Sequence, residues 1–277
     1  MRGVFLEKLH SKMKVDPSLF FLTADMGINL VEKFEEDFPD RYLNVGIAEQ
    51  NLIGVAAGLA ESGMRPYVYT ISNFLIHRCF EQIRNDVVLH DLPVKLIGTS
   101  TGYDNGPLGP THHMLDDWGV ISNLPGIEIY APFNKSSAIE IFDLVYESQQ
   151  PSYVRIAKGI GIEGTRFFPN NSSHKTIVLS YGSACNLALE YSKEHNLDML
   201  ILDKLGKGSW ADLDQYCTRY KKILVIEDHF HHTGMYSYTC QWANRQKLKI
   251  EVHSITPKGY SLEIPENSWM KNENVKY

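Results

Sequence analysis

RYLNVGIAEQNLIGVAAGLA, residues 41 to 60, changes its period in the middle. Residues 42–45 read as a short strand. Gly46 permits a tight turn, and from Ile47 onward the spacing is helical. After Gln50 the helix is almost free of charge, and small residues recur at Gly54, Ala56, Ala57, Gly58 and Ala60. That composition predicts a helix buried on most sides and closely approached by its neighbours. One carboxylate, Glu49, stands in the first turn. It suits the positive end of the helix dipole, and a buried first-turn acid is also a feature of active sites. The stretch alone leaves both readings open.

Working outward, apolar runs alternate with helical spacing along the chain. Strands are expected at 20–23, 67–71, 94–98, 127–130 and 152–156, and helices at 28–38, 74–89, 114–122 and 135–148. An N-terminal surface helix ends before Pro17. Residues 99–111, TSTGYDNGPLGPT, form a long Gly/Pro-rich loop, which in a compact domain is more often functional than not. After a polar stretch at 159–173 the alternation resumes. Strands are expected at 176–180, 199–202, 223–226 and 249–254, and helices at 184–194, 210–219 and 235–245. The pattern predicts two three-layer α/β domains with mostly parallel sheets, at 1–165 and 174–264, followed by a polar tail at 265–277.

The 277 residues are 43% hydrophobic and 22% charged, with net charge -6. That balance argues against nucleic acid as a partner, and no Lys/Arg cluster offsets it. No stretch approaches the ~20 apolar residues of a membrane span. The N-terminus lacks the apolar core of a signal peptide. Cys79, Cys185, Cys217 and Cys240 are scattered without a CxxC pair, as free thiols in a reducing, cytoplasmic compartment would be.

The wording GIAEQ followed by AAGLA resembles the pyrimidine-binding domain of transketolase and of deoxyxylulose phosphate synthase, which are thiamine diphosphate enzymes. The resemblance covers most of the chain. It implies that Glu49 hydrogen-bonds the aminopyrimidine ring, where a buried carboxylic acid keeps a shareable proton available. In SNFLIHRCFEQIRND, residues 72–86, it implies that Phe74 stacks on that ring, with one residue more than the family motif between Phe74 and Arg78. Phe80 reads as a core residue. The segment Gly109-Pro110-Thr111-His112-His113 resembles the GxTHQ of transketolases, which makes His112 a substrate-channel residue able to relay a proton. Two histidines after a loop are otherwise surface or capping groups, and the role of His113 stays open. Asp25, in TADMG, resembles an acid near the cofactor at the subunit interface. A turn-forming aspartate is the plain alternative. Lys158 falls near a phosphate-holding arginine, although a solvated surface lysine explains it equally.

Counting back from His112 places Leu108 where the family has a hydroxyl-reading aspartate, and Ser100 where it has another substrate histidine. The cluster Glu227-Asp228-His229 with His231 and His232 matches no metal-ligand spacing, and no metal is assigned to this chain. No GDG occurs in the sequence. In the family that motif, with a later asparagine, holds the diphosphate and Mg2+. The resemblance therefore implies a partner subunit carrying GDG and the later asparagine. It further implies two copies of each chain assembled across a two-fold axis, and a ketol transfer between small sugar substrates. The departures at Ser100, Leu108 and Lys158 point to modified sugars. The β subunit of a 2-oxo acid dehydrogenase and a non-catalytic scaffold of the same fold are the alternatives.

Overall fold

The computed structural model describes residues 1–260 except Ile28, Ile160 and residues 171–174. The expected tail at 265–277 lies outside the described residues, as do the two ends of the expected 174–264 domain. The first sheet has six strands, all parallel: β1 (Leu19–Thr23), β2 (Tyr42–Asn44), β3 (Arg65–Ile71), β4 (Lys95–Thr99), β5 (Glu128–Tyr130) and β6 (Ser152–Ile156), in the order β2-β1-β3-β4-β6-β5. Its central strands are apolar runs buried on both faces, as parallel strands covered by helices require. One face packs on α1 (Arg2–Met13), α2 (Glu32–Asp37) and α6 (Lys135–Glu147) through Phe5, Leu9, Phe34, Ile141 and Phe142. The other face packs on α3 (Glu49–Glu61) and a rod spanning 74–88.

The second sheet orders β11 (Glu251–Ile255), β10 (Lys222–Ile226), β8 (Thr176–Ser180), β9 (Asp198–Ile201) and β7 (Phe167–Phe168). All pairs are parallel except β7 with β9. Phe167 and Phe168 lie inside the stretch read as irregular. Two residues are too few to show a period, so the strand is defined by its partner. Helix α7 (Cys185–Glu194) covers one face of this sheet, and α8 (Trp210–Tyr216) with α9 (Met235–Arg245) the other.

Several elements are shorter than their spacing predicts. Helix α2 begins late because Asn29 takes φ 65° and the Leu30 and Val31 N–H groups both turn back onto the Gly27 carbonyl. Helix α5 (Asp117–Ile121) begins late because Met114 exchanges two backbone hydrogen bonds with Gly102, each 2.9 Å. The expected long helix at 74–89 is wound in three pieces: π-helical turns Phe74–Arg78 and Ile83–Val88 flank α4 (Phe80–Gln82). A π turn holds one more residue than an α turn, which is how the extra residue between Phe74 and Arg78 is absorbed. Helix α3 buries Glu49, Leu52, Ile53, Ala56, Ala57 and Ala60 on one face. Contrary to the expected enclosure, Gly54 and Gly58 face outward, and beyond the helix's own backbone and their chain neighbours no described residue comes within 4 Å of where a Cβ would stand.

The two sheets share one continuous apolar cluster, and a buried polar knot crosses it. Arg155, at the end of β6, is fully buried. Its Nε donates to Asp117 Oδ2 at 2.7 Å, and its Nη2 to Asp228 Oδ1 at 3.0 Å and to the Met114 carbonyl at 3.3 Å. The Tyr153 hydroxyl donates to the same Asp117 oxygen at 2.7 Å. Burial opposes the Arg155 charge, but the two carboxylates hold its pKa well above the ordinary value. Glu227 caps α9 by accepting the Met235 and Tyr236 N–H groups at 2.7 and 3.0 Å, and burial lifts its pKa to about 7.

Arg155→Met would leave two buried carboxylates without their counter-charge. Breaking such a set costs about 3–5 kcal/mol, a melting-temperature drop on the order of 10 °C for a chain of this size. Thermal denaturation of the purified variant checks this. A melting point within a degree or two of wild type would remove the knot from the stability account.

Candidate active site at the carboxyl edge of the first sheet

Because all six strands run the same way, every loop that follows a strand opens on one edge. The chain leaves β1 toward β2 and then crosses back to β3 on the other side of β1, so a crevice forms between the ends of β1 and β3. Ligands of open parallel sheets bind at such reversals. Asp25 follows β1, Glu49 follows β2, Phe74 follows β3, the 100–113 loop follows β4, and Lys158 follows β6.

Three of the residues singled out in the sequence meet here through a fourth. Gly46, at φ 75°, turns the chain from β2 into α3 and sets Glu49 in the first helical turn. Glu49 is 4% exposed. The half-exposed Arg78 donates from Nη1 to its Oε2 at 3.1 Å. The same guanidinium lies 4.0 Å from the centre of the Phe74 ring. The Phe74 ring in turn meets the His112 ring edge-on at 5.2 Å. Gln50 Nε2 donates to the Arg78 carbonyl at 2.9 Å, tying α3 to the π turn. Cys79, buried beside Glu49, has its thiol pushed up to about 12 by burial, with the Glu49 charge as the next cause.

The loop that carries His112 is fastened from three sides. At its base, Gly102 and Met114 pair back to back, and Gly102 (φ 57°) leaves no room for a Cβ against the Asp228 carboxylate. Asn73 Nδ2 donates to the His113 carbonyl at 2.9 Å. His77, one turn along, pairs through Nε2 with Asp116 Oδ1 at 2.9 Å and through Nδ1 with Asn73 at 3.3 Å. The hydrogen bond to Asp116 raises the His77 pKa. His113 is buried against Tyr103, with Nε2 3.4 Å from the Gly106 carbonyl, so it serves the loop's interior. His112 is half-buried. Its Nδ1 pairs with the Thr111 hydroxyl at 2.9 Å, and its Nε2 has no hydrogen bond among the described residues.

The other candidates are spread around this centre. Asp25 is exposed at φ 46°, its N–H donating to Asn44 Oδ1, which also takes the Gly46 N–H. Ser100 is buried at φ 65°. Leu108 is 59% exposed. Lys158 donates from its N–H to Asp104 Oδ2 at 2.8 Å, and its ammonium is held by Asn105. Burial lifts the Asp104 pKa to about 6. Phe80 packs against the core. Glu227, Asp228 and His229 are drawn into the knot between the sheets. His231 and His232 line a separate cavity of about 610 Å3 with Phe230, Lys258 and Tyr260. Among the described residues no group of three metal-binding side chains converges, and no helix is long and apolar enough to cross a membrane.

Sequence reading missed Arg78 as the link between Glu49 and Phe74, the His77–Asp116 pair, and Asp104 beside Lys158. The extra residue before Arg78 was the available signal for the first. The other two depend on loops separated by dozens of residues and have no local sign.

Comparison with known proteins identifies the family. The family described as transketolase, pyrimidine binding domain, matches residues 1–161. One of the subunits of the apulose-4-phosphate transketolase of Actinobacillus succinogenes is 37% identical over 157 residues, 56% of this chain and 50% of that one. The 6-deoxy-6-sulfo-D-fructose transketolase subunit SqwH of Clostridium sp. (strain MSTE9) is 30% identical over 159 residues, 57% of this chain and 49% of that one. The chain spans about half the length of these curated relatives. A solved split gene transketolase, an inactive beta4 tetramer, is similar with a TM-score of 0.80 at 25% identity, covering 94% of this chain and 89% of that chain. With more than half its length matched by the family model, and with the α/β fold that its structural neighbour shares, this chain belongs to the transketolase pyrimidine-binding domain family.

Proposed function

We propose that the chain is the pyrimidine-binding subunit of a two-chain, thiamine diphosphate-dependent transketolase that moves a two-carbon ketol unit between modified sugars. One observation carries the reading. A buried carboxylate and an aromatic face converge on a single flat space, and a planar guanidinium now fills it. A site that accepts a flat, N–H-bearing cation between those two groups fits an aminopyrimidine ring. Thiamine diphosphate, when bound, supplies the nucleophile and electron sink for breaking a carbon–carbon bond.

In this reading Glu49 holds a proton at the ring nitrogen, and Phe74 supplies the stacking face. His112 gives or takes a proton at a substrate hydroxyl through Nε2. Asp25 lies at the rim toward the second copy. Mg2+ and the diphosphate are held by a partner subunit with GDG and a later asparagine. The relatives named as transketolase subunits support the two-chain arrangement. The open Gly54 and Gly58 face of α3 suits close contact with a second copy across a two-fold axis, as oligomers with closed symmetry use.

Three outcomes follow. Alone, the chain self-associates but binds thiamine diphosphate weakly, because metal–diphosphate contacts lie on the partner. Light scattering of the lone chain should read more than one copy, and calorimetry with thiamine diphosphate and Mg2+ no micromolar binding. A monomer, or tight binding without a partner, contradicts the arrangement.

Glu49→Gln keeps the shape of the side chain but cannot share an acidic proton. In the reconstituted pair it should fold as wild type and lose at least ~100-fold in kcat. Full activity would reduce Glu49 to a helix-end charge.

Substrate choice is the third. Leu108 and Ser100 stand where hydroxyl-reading groups would be, and Lys158 offers a point charge in place of a forked clamp. A site without a hydroxyl-reading acid no longer enforces that hydroxyl. Deoxy or nucleotide-linked acceptors should therefore be turned over better than ribose 5-phosphate with xylulose 5-phosphate as donor. If the common pair reaches about 10⁴ M⁻¹s⁻¹ or more in kcat/KM, the specialisation fails.

A further inference from the structure

Arg78 makes two contacts that exclude any ring from the crevice. It covers the Phe74 face at 4.0 Å and occupies Glu49 Oε2 at 3.1 Å. Glu49 is nearly buried, and Arg78 is its one charged partner among the described residues, so without Arg78 its charge would be left uncompensated. Yet Arg78 itself is half in solvent. It is therefore attached strongly enough to settle the carboxylate and loosely enough to leave. Its backbone position supports both states. Arg78 ends a π-helical turn whose Phe74 carbonyl is met by the Cys79 thiol at 3.6 Å, and its own carbonyl is held by Gln50. The main chain is thus fixed by groups that do not depend on the guanidinium, and only the side chain has to move.

We propose that Arg78 is a built-in plug of the pyrimidine crevice. In the chain without cofactor its guanidinium stands in for the flat heterocycle, and it is displaced into solvent when the ring takes its place on Glu49 and Phe74. This inference rests on the functional reading above and deepens it. The consequence is an affinity penalty. A ligand that binds only the open state sees its dissociation constant raised by the inverse of the open fraction. The plug also gives the crevice a preference: an occupant must offer Glu49 a hydrogen-bond partner and Phe74 a flat face, because a ligand lacking either cannot replace what Arg78 provides. A purely structural clasp makes the opposite statement. If Arg78 only braced α3 against the π turn, its loss would loosen the crevice and weaken binding.

The test is calorimetric titration of thiamine diphosphate, with Mg2+, into the chain reconstituted with its partner subunit, for wild type, Arg78→Leu and Arg78→Lys. Arg78→Leu removes both contacts and should bind about three- to tenfold tighter than wild type. Arg78→Lys keeps a charge for Glu49 without a flat face for Phe74 and should fall between them. The lone Arg78→Leu chain should melt below wild type, and adding Glu49→Gln should recover much of the loss, since the carboxylate no longer lacks a counter-charge. If Arg78→Leu fails to assemble, Arg78→Lys alone decides, by binding more tightly than wild type or not. Equal or weaker binding by the variants, with a wild-type pair that does take up the cofactor, overturns the plug and leaves the functional reading standing. A wild-type pair that takes up no cofactor overturns that reading and the plug with it.

Discussion

The fully buried guanidinium of Arg155 is the constraint on which the rest of the arrangement hangs. It sits at the carboxyl end of β6 and reaches Asp117, Asp228 and the Met114 carbonyl. Three separate pieces of chain are held by that one planar group: the end of the 100–113 loop, the start of α5, and the turn after β10 in the second sheet. A cation buried this deeply persists only with good geometry and further hydrogen bonds, and the Tyr153 hydroxyl on Asp117 supplies one of them. Asp228 in turn receives the Ser183 hydroxyl and lies against Gly102. The base of the loop that presents His112 is therefore set from the far side of the molecule. The second sheet contributes to the site through this knot, without placing one of the proposed catalytic groups there.

The strands were legible because parallel strands covered on both faces are largely apolar, and β1, β8 and β10 carry unbroken apolar runs, while β4 and β6 keep enough apolar residues around Lys95 and Arg155 to read the same way. That Glu49 would be buried in the first turn of α3 was legible because a lone charge beside an apolar helix is conspicuous. What the sequence hid has a common cause. Helix α5 is shortened by a pairing between Gly102 and Met114, β7 exists through its pairing with β9, and Arg155 meets Asp228 across 73 positions. None of these contacts leaves a period in the local sequence. The 74–88 rod is the instructive middle case. Its apolar spacing announced a helix, and the extra residue was visible in the motif. That a π turn would absorb it, and so place Arg78 over Phe74, depended on backbone geometry that spacing alone does not specify.

The 100–113 loop shows why position in a motif is a weaker guide than surroundings. Leu108 stands at an acid's place by counting, yet it is exposed, while the acid that the loop does hold inward is Asp104. Burial raises the Asp104 pKa to about 6, with the Asp228 charge adding to it. The carboxyl accepts the Lys158 N–H, so the loop after β4 and the loop after β6 are stitched at that point. Asn105 holds the Lys158 ammonium from the same loop. The ammonium's direct hydrogen-bond partner is a neutral amide, with the Asp104 carboxyl close by. Lys158 is thus restrained in place and remains available as a positive charge.

Arg155 and Arg78 show how one residue type takes opposite parts in a single fold. Arg155 has two carboxylates, a carbonyl and no exposed surface, so removing any partner leaves a buried charge behind and no path leads it to water. Arg78 has one carboxylate, one aromatic face and half of its side chain in solvent. Water screens the half-exposed end of that ion pair, and a guanidinium over a half-buried ring adds a modest further attraction. The sum is enough to favour one arrangement of the side chain and too small to make it permanent. The knot must therefore be built once, on folding, whereas the crevice can be opened and closed in the folded protein. The sequence marks the difference only by context: Arg155 lies within a strand of apolar residues, and Arg78 lies between a histidine and a cysteine on a helix with one residue too many.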